Sequence, residues 1–266
     1  MKIIAKNIAP DASIVASPSM QFPESNLLLP TERGRVAQST GLASQQLTLS
    51  WSSNQKAGGI ALIGHNLTTA GTVRSIFSDV TPATLYDSTA LAAFSTTGLD
   101  TDIDDYTDID FRGYKVFRHY FTQITTIRSL VQTWSDALNP DGCMNARKLI
   151  IGKVFEPEYP TGAIDMTPMD SSVAGRADDG THQVDRGWQA RVLTVSIEAI
   201  VEADRPTWLA FARSVGKFGE CFVDLYPSDT GALGIYGRGA FRLVDSPTFN
   251  HFQYGIHKNT LRFEET

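Results

Sequence analysis

LTLSWSSNQKAGGIALIGHNLTTAGTVRSIFSD, Leu47 to Asp79, is the stretch whose patterning decides the fold class. Leu47, Leu49 and Trp51 alternate with Thr48 and Ser50, the period of a half-buried strand. Ile60–Ile63 is a short apolar run bounded by Gly58-Gly59 and Gly64, which predicts a turn and then a buried strand. After the polar turn His65-Asn66-Leu67-Thr68-Thr69, Val73, Ser75 and Phe77 fall on one side and Arg74, Ile76 and Ser78 on the other. Three short strands with no helix between them point to an antiparallel sandwich.

Upstream, Pro10, Pro18, Pro23 and Pro30 are spaced too closely for long regular elements, so the first 45 residues read as an irregular lead-in draped over the sandwich. MKIIAKNIAP is too short and too early broken by Pro10 for a secretory leader, and no run nears the ~18 apolar residues that span a bilayer. A product made in the cytoplasm, without membrane insertion, is expected. The 266 residues carry a net charge of −6, 42% hydrophobic and 20% charged residues, a globular composition without the basic excess of a nucleic-acid binder. That length supports two cores. Cys143 and Cys221 form neither a disulfide framework nor a zinc pattern, and the expectation is two separate thiols in two domains.

Downstream, six aspartates lie between Asp100 and Asp110. Asp100, Asp102 and Asp104 alternate as calcium ligands do, but Asp105 and Phe111 stand where the helix-loop-helix calcium motif needs Gly and Glu. A solvated acidic loop is the reading preferred to a metal site. Tyr114–Trp134 is dense in aromatic and β-branched residues and predicts two strands. Asn139-Pro140-Asp141-Gly142 predicts a tight turn, and Ala146–Phe155 a buried strand that closes the first domain.

Residues 156–187 carry prolines, glycines and few large apolar groups and read as an extended arm or linker. Trp188–Val201 is the longest clean alternation, with Leu193, Val195, Ile197, Ala199 and Val201 on one face. Asp204 as N-cap, Pro206 in the first turn, the stripe Trp208, Phe211, Ala212 and Val215, and Gly216 as stop predict a helix. Further strands follow in GECFVDLYP, GALGIYGRGAFRLVD and NTLRFEE. The expected fold is mainly β: residues 1–155 a sandwich, 156–187 an arm, and 188–266 a small sandwich with one packed helix.

Catalytic patterns are missing: there is no G-x-S-x-G elbow, H-E-x-x-H, P-loop or Rossmann glycine fingerprint, and the five histidines are scattered singly. The reading is a non-enzymatic protein without a cofactor. His65 and Asn66, in a turn between strands, are candidates for ligand or partner contact, set against a histidine that caps the backbone. Tyr114, Phe117, Tyr120 and Phe121 offer a sugar-stacking platform or, as alternating aromatics more often do, core.

The order NLL…RVAQS, QLTLSW, GGIALIGHNLT, GTVRSIFSD and RSLVQTWSDALNPDG…ARKLIIGKVF resembles the galactose-binding-like, discoidin-type jelly-roll β-sandwich of long-tailed bacteriophage and prophage tail proteins. The part from DRGWQARVLTVSIEAIVEADRPTWLAF to LRFEE is similar to the small sandwich-plus-helix unit of tail-tube and distal-tail ring proteins. The resemblance implies a virion structural protein of the distal tail or baseplate. Its implied partners are its own copies in a ring, together with tube, hub and tape-measure proteins, and the assembly residues it suggests are Arg176, Asp185, Arg186 and Trp188. The alternative is a carbohydrate-binding module for bacterial surface glycan, although the loops lack an evident Arg/His/Asp sugar clamp.

Overall fold

A computed structural model describes residues 1–29, 35–94, 115–157, 161–170, 172–176, 182–185, 189–216, 219–229, 234, 237–245, 249–253 and 256–266. In chain order the strands begin with β1 (Lys2–Ile4), β2 (Ser13–Ser17), β3 (Met20–Phe22), β4 (Ala37–Ser39), β5 (Gln45–Ile63), β6 (Thr72–Ser78) and β7 (Thr84–Asp87). They continue with β8 (Leu91–Ala92), β9 (Val116–Ser135), β10 (Asn145–Ala146), β11 (Lys148–Gly152), β12 (Val154–Phe155), β13 (Thr161–Asp170), β14 (Val173–Arg176) and β15 (His182–Asp185). Then come β16 (Gln189–Val201), helix α1 (Arg205–Val215), β17 (Glu220–Asp224), β18 (Arg238–Leu243), β19 (Phe249–Gln253) and β20 (Ile256–Glu265). The protein is mainly β, its described pairings are antiparallel, and α1 packs eleven residues of helix among the strands.

The chain forms two compact units, Met1–Glu156 with Glu220–Ala240, and Pro157–Gly219 with Phe241–Thr266. The expected division differs here, because Glu220–Ala240 belongs to the first unit. The reason is burial: all of β17 is buried, and Lys2–Ile4 pair with Phe222–Asp224. Cys143 and Cys221 are free thiols as expected, but both lie in the first unit rather than in separate domains.

In the first unit the main sheet runs β11-β5-β9-β6-β7, with β2 on β5 and β8 on β6, and a short sheet runs β10-β4-β3. Its core draws on both, with Leu47, Leu49, Phe77 and Trp134 from the main sheet and Ala37 and Ala146 from the short one. Two expectations are corrected. The stretch after Trp51 is no turn but part of one strand, β5, and Tyr114–Trp134 contributes one strand, β9, rather than two. The two bend together, with register shifts between Ser50 and Gly59. Bulges let long strands curve where no turn former interrupts them, and Val116–Ser135 contains no Gly, Pro or Asn. Gly59 permits close packing at the bend, because a Cβ there would meet Val154 at 2.9 Å, Tyr120 at 3.1 Å and Ile4 at 3.2 Å.

The N-terminal lead-in is likewise more regular than its prolines suggest. β1 lies between β12 and β17, and β2 pairs with β5 along Ser13–Ser17. The prolines fall between these strands, Pro10 in the 3-10 turn Ala9–Asp11 and Pro18 directly after β2. β6 alternates as expected, with Val73, Ser75 and Phe77 buried.

In the second unit β16 pairs with β13 and β20, and its inward residues Leu193, Val195 and Ile197 are fully buried. The expected arm at 156–187 therefore contains strands: β13 lies along β16, and β14 pairs with β15. Polar alternation and Pro168 hid β13, and a proline is tolerated at a sheet edge because no ladder hydrogen bond is needed there. Helix α1 forms as expected, burying Trp208, Phe211 and Val215 and ending at Gly216 (φ 60°). No described helix is long and apolar enough to cross a membrane.

Candidate functional site

The turn after β5 opens with Gly64 in the left-handed region (φ 63°), which a side chain rarely adopts. It delivers His65 and Asn66 inward, with exposures of 0% and 5%. The Asn66 amide nitrogen donates to Asp141 Oδ2 and to the Cys143 carbonyl, both at 2.9 Å, and its oxygen accepts the Asn145 N–H at 2.8 Å. The Asn66 carbonyl accepts from Asn139 Nδ2 at 3.1 Å. Asp136 extends the network by accepting Thr68 N–H at 2.7 Å and the Thr68 hydroxyl at 3.0 Å. The expected turn at 139–142 is present, with Gly142 at φ 69°, and Asn66 is the staple that holds it.

His65 stands beside this network with neither ring nitrogen in a well-formed hydrogen bond. Burial, reinforced by the positive charge of Lys115, lowers its pKa from 6.5 to about 3, against a small opposing effect of the Ala93 backbone. The folded state therefore holds a neutral imidazole that the unfolded chain protonates below about pH 6.5. A group depressed in this way contributes its full stability above pH 6.5 and loses it as the pH falls toward 3. Between pH 6.5 and pH 5 the expected loss is roughly 2 kcal/mol. Urea melts at those two pH values should show it for the wild type and not for His65→Phe; an equal decline in both would refute the assignment.

A second cluster is partly open to solvent. Tyr86 on β7 sits opposite Phe77 of β6, while His119 and Phe121 come from β9. Tyr86 stacks on Phe121 (4.7 Å between centroids, 17°) and on His119 (5.8 Å, 24°), and Phe121 closes on the buried Phe77 at 5.0 Å. Tyr86 Oη lies 2.5 Å from His119 Nε2. Burial lowers the His119 pKa and raises that of Tyr86, so the hydroxyl donates to a neutral imidazole and leaves Nδ1 as the ring's N–H. The result is a half-buried aromatic shelf with a polar rim. On the other face of β6 and β7, Arg74 holds Asp87 through bonds of 2.9 and 2.5 Å, which fixes this edge and keeps the Asp87 pKa at about 2.

The remaining aromatics of that stretch have other tasks. Phe117 is core, and Tyr120 donates to Asp224 Oδ2 at 2.9 Å, so burial and the carboxylate push its pKa far up. Asp224 also accepts from Arg118 Nε at 2.5 Å, and burial still holds its pKa above the ordinary value. Tyr86 was missed in the sequence because it lies 33 positions from its imidazole partner, on a strand too short to show a period.

Of the other expected residues, Arg176 is on β14 and Asp185 on β15, and their side chains lie outside the described set, as do Arg186, Trp188, Tyr114 and the acidic-loop candidates Asp100, Asp102 and Asp104.

No family model and no curated protein matches the chain. Among solved structures, the lectin domain of lectinolysin complexed with Lewis b antigen aligns over 56% of this chain and 96% of its own, at 9% identity and a TM-score of 0.38. A chitosan-binding module of a Paenibacillus sp. IK-5 chitosanase/glucanase aligns over 55% and 97%, at 15% identity and a TM-score of 0.37. A Streptococcus pneumoniae fucose-binding module aligns over 55% and 94%, at 10% identity and a TM-score of 0.37.

Proposed function

We propose that the chain is a carbohydrate-binding module whose contact surface is the shelf of Tyr86, His119 and Phe121. The observation that carries this reading is the pair of nearly parallel stacks, at 17° and 24°, left half-buried instead of sealed in the core. Sugar rings present C–H faces that pack on such surfaces, and their hydroxyls bond to a Tyr oxygen or an imidazole N–H at the rim. A bacterial surface glycan is the ligand class. Loss of one stacking ring removes about 1.4 kcal/mol, tenfold in affinity. Titration calorimetry with purified bacterial surface polysaccharides, after a glycan array, should show binding that drops about tenfold in Tyr86→Ala and in His119→Ala, each variant being folded at the assay temperature by its thermal melt. Absence of binding to every glycan, or binding indifferent to both substitutions, would sink the reading.

A second reading is self-assembly as a ring subunit of a phage tail, in the virion, with tube, hub and tape-measure proteins as neighbours. The resemblance of the sequence to tail-tip proteins suggests it, and β13, the last strand of its sheet among the described residues, favours it. Among its described side chains, Ala163 to Asp170, none is buried, and Ile164, Met166 and Met169 are half-covered. The β14–β15 ribbon pairs only with itself among the described residues, and two-stranded ribbons are marginal alone. Strand addition by a second copy would complete both. Light scattering of the full chain should then give the mass of a closed ring; a monomer at ~50 μM, well above the dissociation constant of a stable interface, would exclude it.

A further inference from the structure

We propose that the core of the first unit encloses an ordered-water site built by Gln45, Ser75, Gln132 and Trp134. Gln132 and Trp134 occupy successive inward positions of β9. In the ladder Ser75 of β6 is the direct neighbour of Gln132, and Gln45 of β5 is the direct neighbour of Trp134. Directly opposed side chains on one sheet face stand about 5 Å apart, so the four form one contiguous polar patch among Leu47, Val73 and Leu130. Each is 0% exposed.

Gln45 Oε1, Ser75 Oγ, both amide atoms of Gln132 and Trp134 Nε1 have no hydrogen-bond partner among the described residues. The other end of the Gln45 amide is anchored, its nitrogen donating to the Pro18 carbonyl at 2.5 Å, which leaves Oε1 as the end of the amide that still seeks a donor. The Trp134 indole only donates, whereas Gln132 and Ser75 can do both. Orphaned buried polar groups carry their full desolvation cost, and several side by side would cancel a large share of a domain's net stability. A direct Gln132–Ser75 bond would leave the Trp134–Gln45 row unsatisfied. A water that accepts from Trp134 Nε1–H and donates to Gln45 Oε1 completes that row, and another between Gln132 and Ser75 completes the next. None of the four side chains titrates near neutrality, so the patch selects a neutral hydrogen-bonding molecule over an ion.

Water–protein Overhauser spectroscopy on the ¹⁵N-labelled full chain tests the site. The Trp134 indole proton, assigned by its loss in Trp134→Phe, and the Gln132 amide protons are expected to show cross-peaks to water with the sign of a long-lived contact. In Ser75→Ala, which removes the hydroxyl that could relay exchange, the Trp134 cross-peak persists. Absence of water cross-peaks at both groups overturns the proposal. So does disappearance of the Trp134 cross-peak in Ser75→Ala, or a crystal structure in which Gln132 bonds directly to Trp134 or Ser75.

Discussion

Replacing Lys148 by methionine is expected to lower the unfolding free energy by about 3–5 kcal/mol, because the change strands a buried carboxylate. Lys148 lies on β11 and its ammonium pairs with Glu220 of β17; the side chains are only 7% and 3% exposed. The methionine keeps the aliphatic stem, so packing changes little and the charge is the variable. Glu220→Met should be similarly costly, since it leaves the ammonium buried instead. In the double variant both charges are gone, and most of the loss should be recovered, giving a coupling of at least about 2 kcal/mol. Urea unfolding of the four proteins completes the cycle. Single variants that each cost under about 1 kcal/mol would show that the pair is hydrated and structurally idle.

Asn66→Ala is expected to cost about 2–4 kcal/mol, the sum of three part-buried hydrogen bonds, one of them to a carboxylate. It orphans the Asn145 N–H and the Cys143 carbonyl and removes the donor to Asp141, so the turn at 139–142 is left with the Asn139 amide on the Asn66 carbonyl and the backbone bond from Asn66 to Asn145. Asn66→Asp keeps the acceptor but sets a carboxylate against Asp141, and should be no better. Denaturant midpoints should fall without a change in slope. A loss below about 1 kcal/mol in Asn66→Ala would mean that backbone pairing with Asn145 alone secures the turn. A loss of about 2–4 kcal/mol in Asn66→Ala, together with the His65 titration, would assign the turn a structural task.

Several elements were legible in the sequence because the signal was local. The alternation of Val73, Ser75 and Phe77, that of Leu193, Val195 and Ile197, the turn at Asn139–Gly142 and helix α1 each depend on periodicity or on residues that set a backbone angle. The arrangement of Tyr86, His119 and Phe121 was not legible, since only the bend of β9 brings its first half beside β7. The same holds for Lys148 in the apolar run ARKLIIGKVF, whose partner charge lies 72 positions away.

The sequence alone therefore determined a mainly β protein with one helix and placed most strand centres, because apolar spacing acts within a few residues. The tertiary structure alone decided that Glu220–Ala240 joins the first unit, that His65 and Asn66 point inward, and that the distant Tyr86 joins His119 and Phe121 in a shelf. Burial and charge pairing act between residues far apart in the chain. A composition or period cannot encode which of many compatible partners the fold brings within reach.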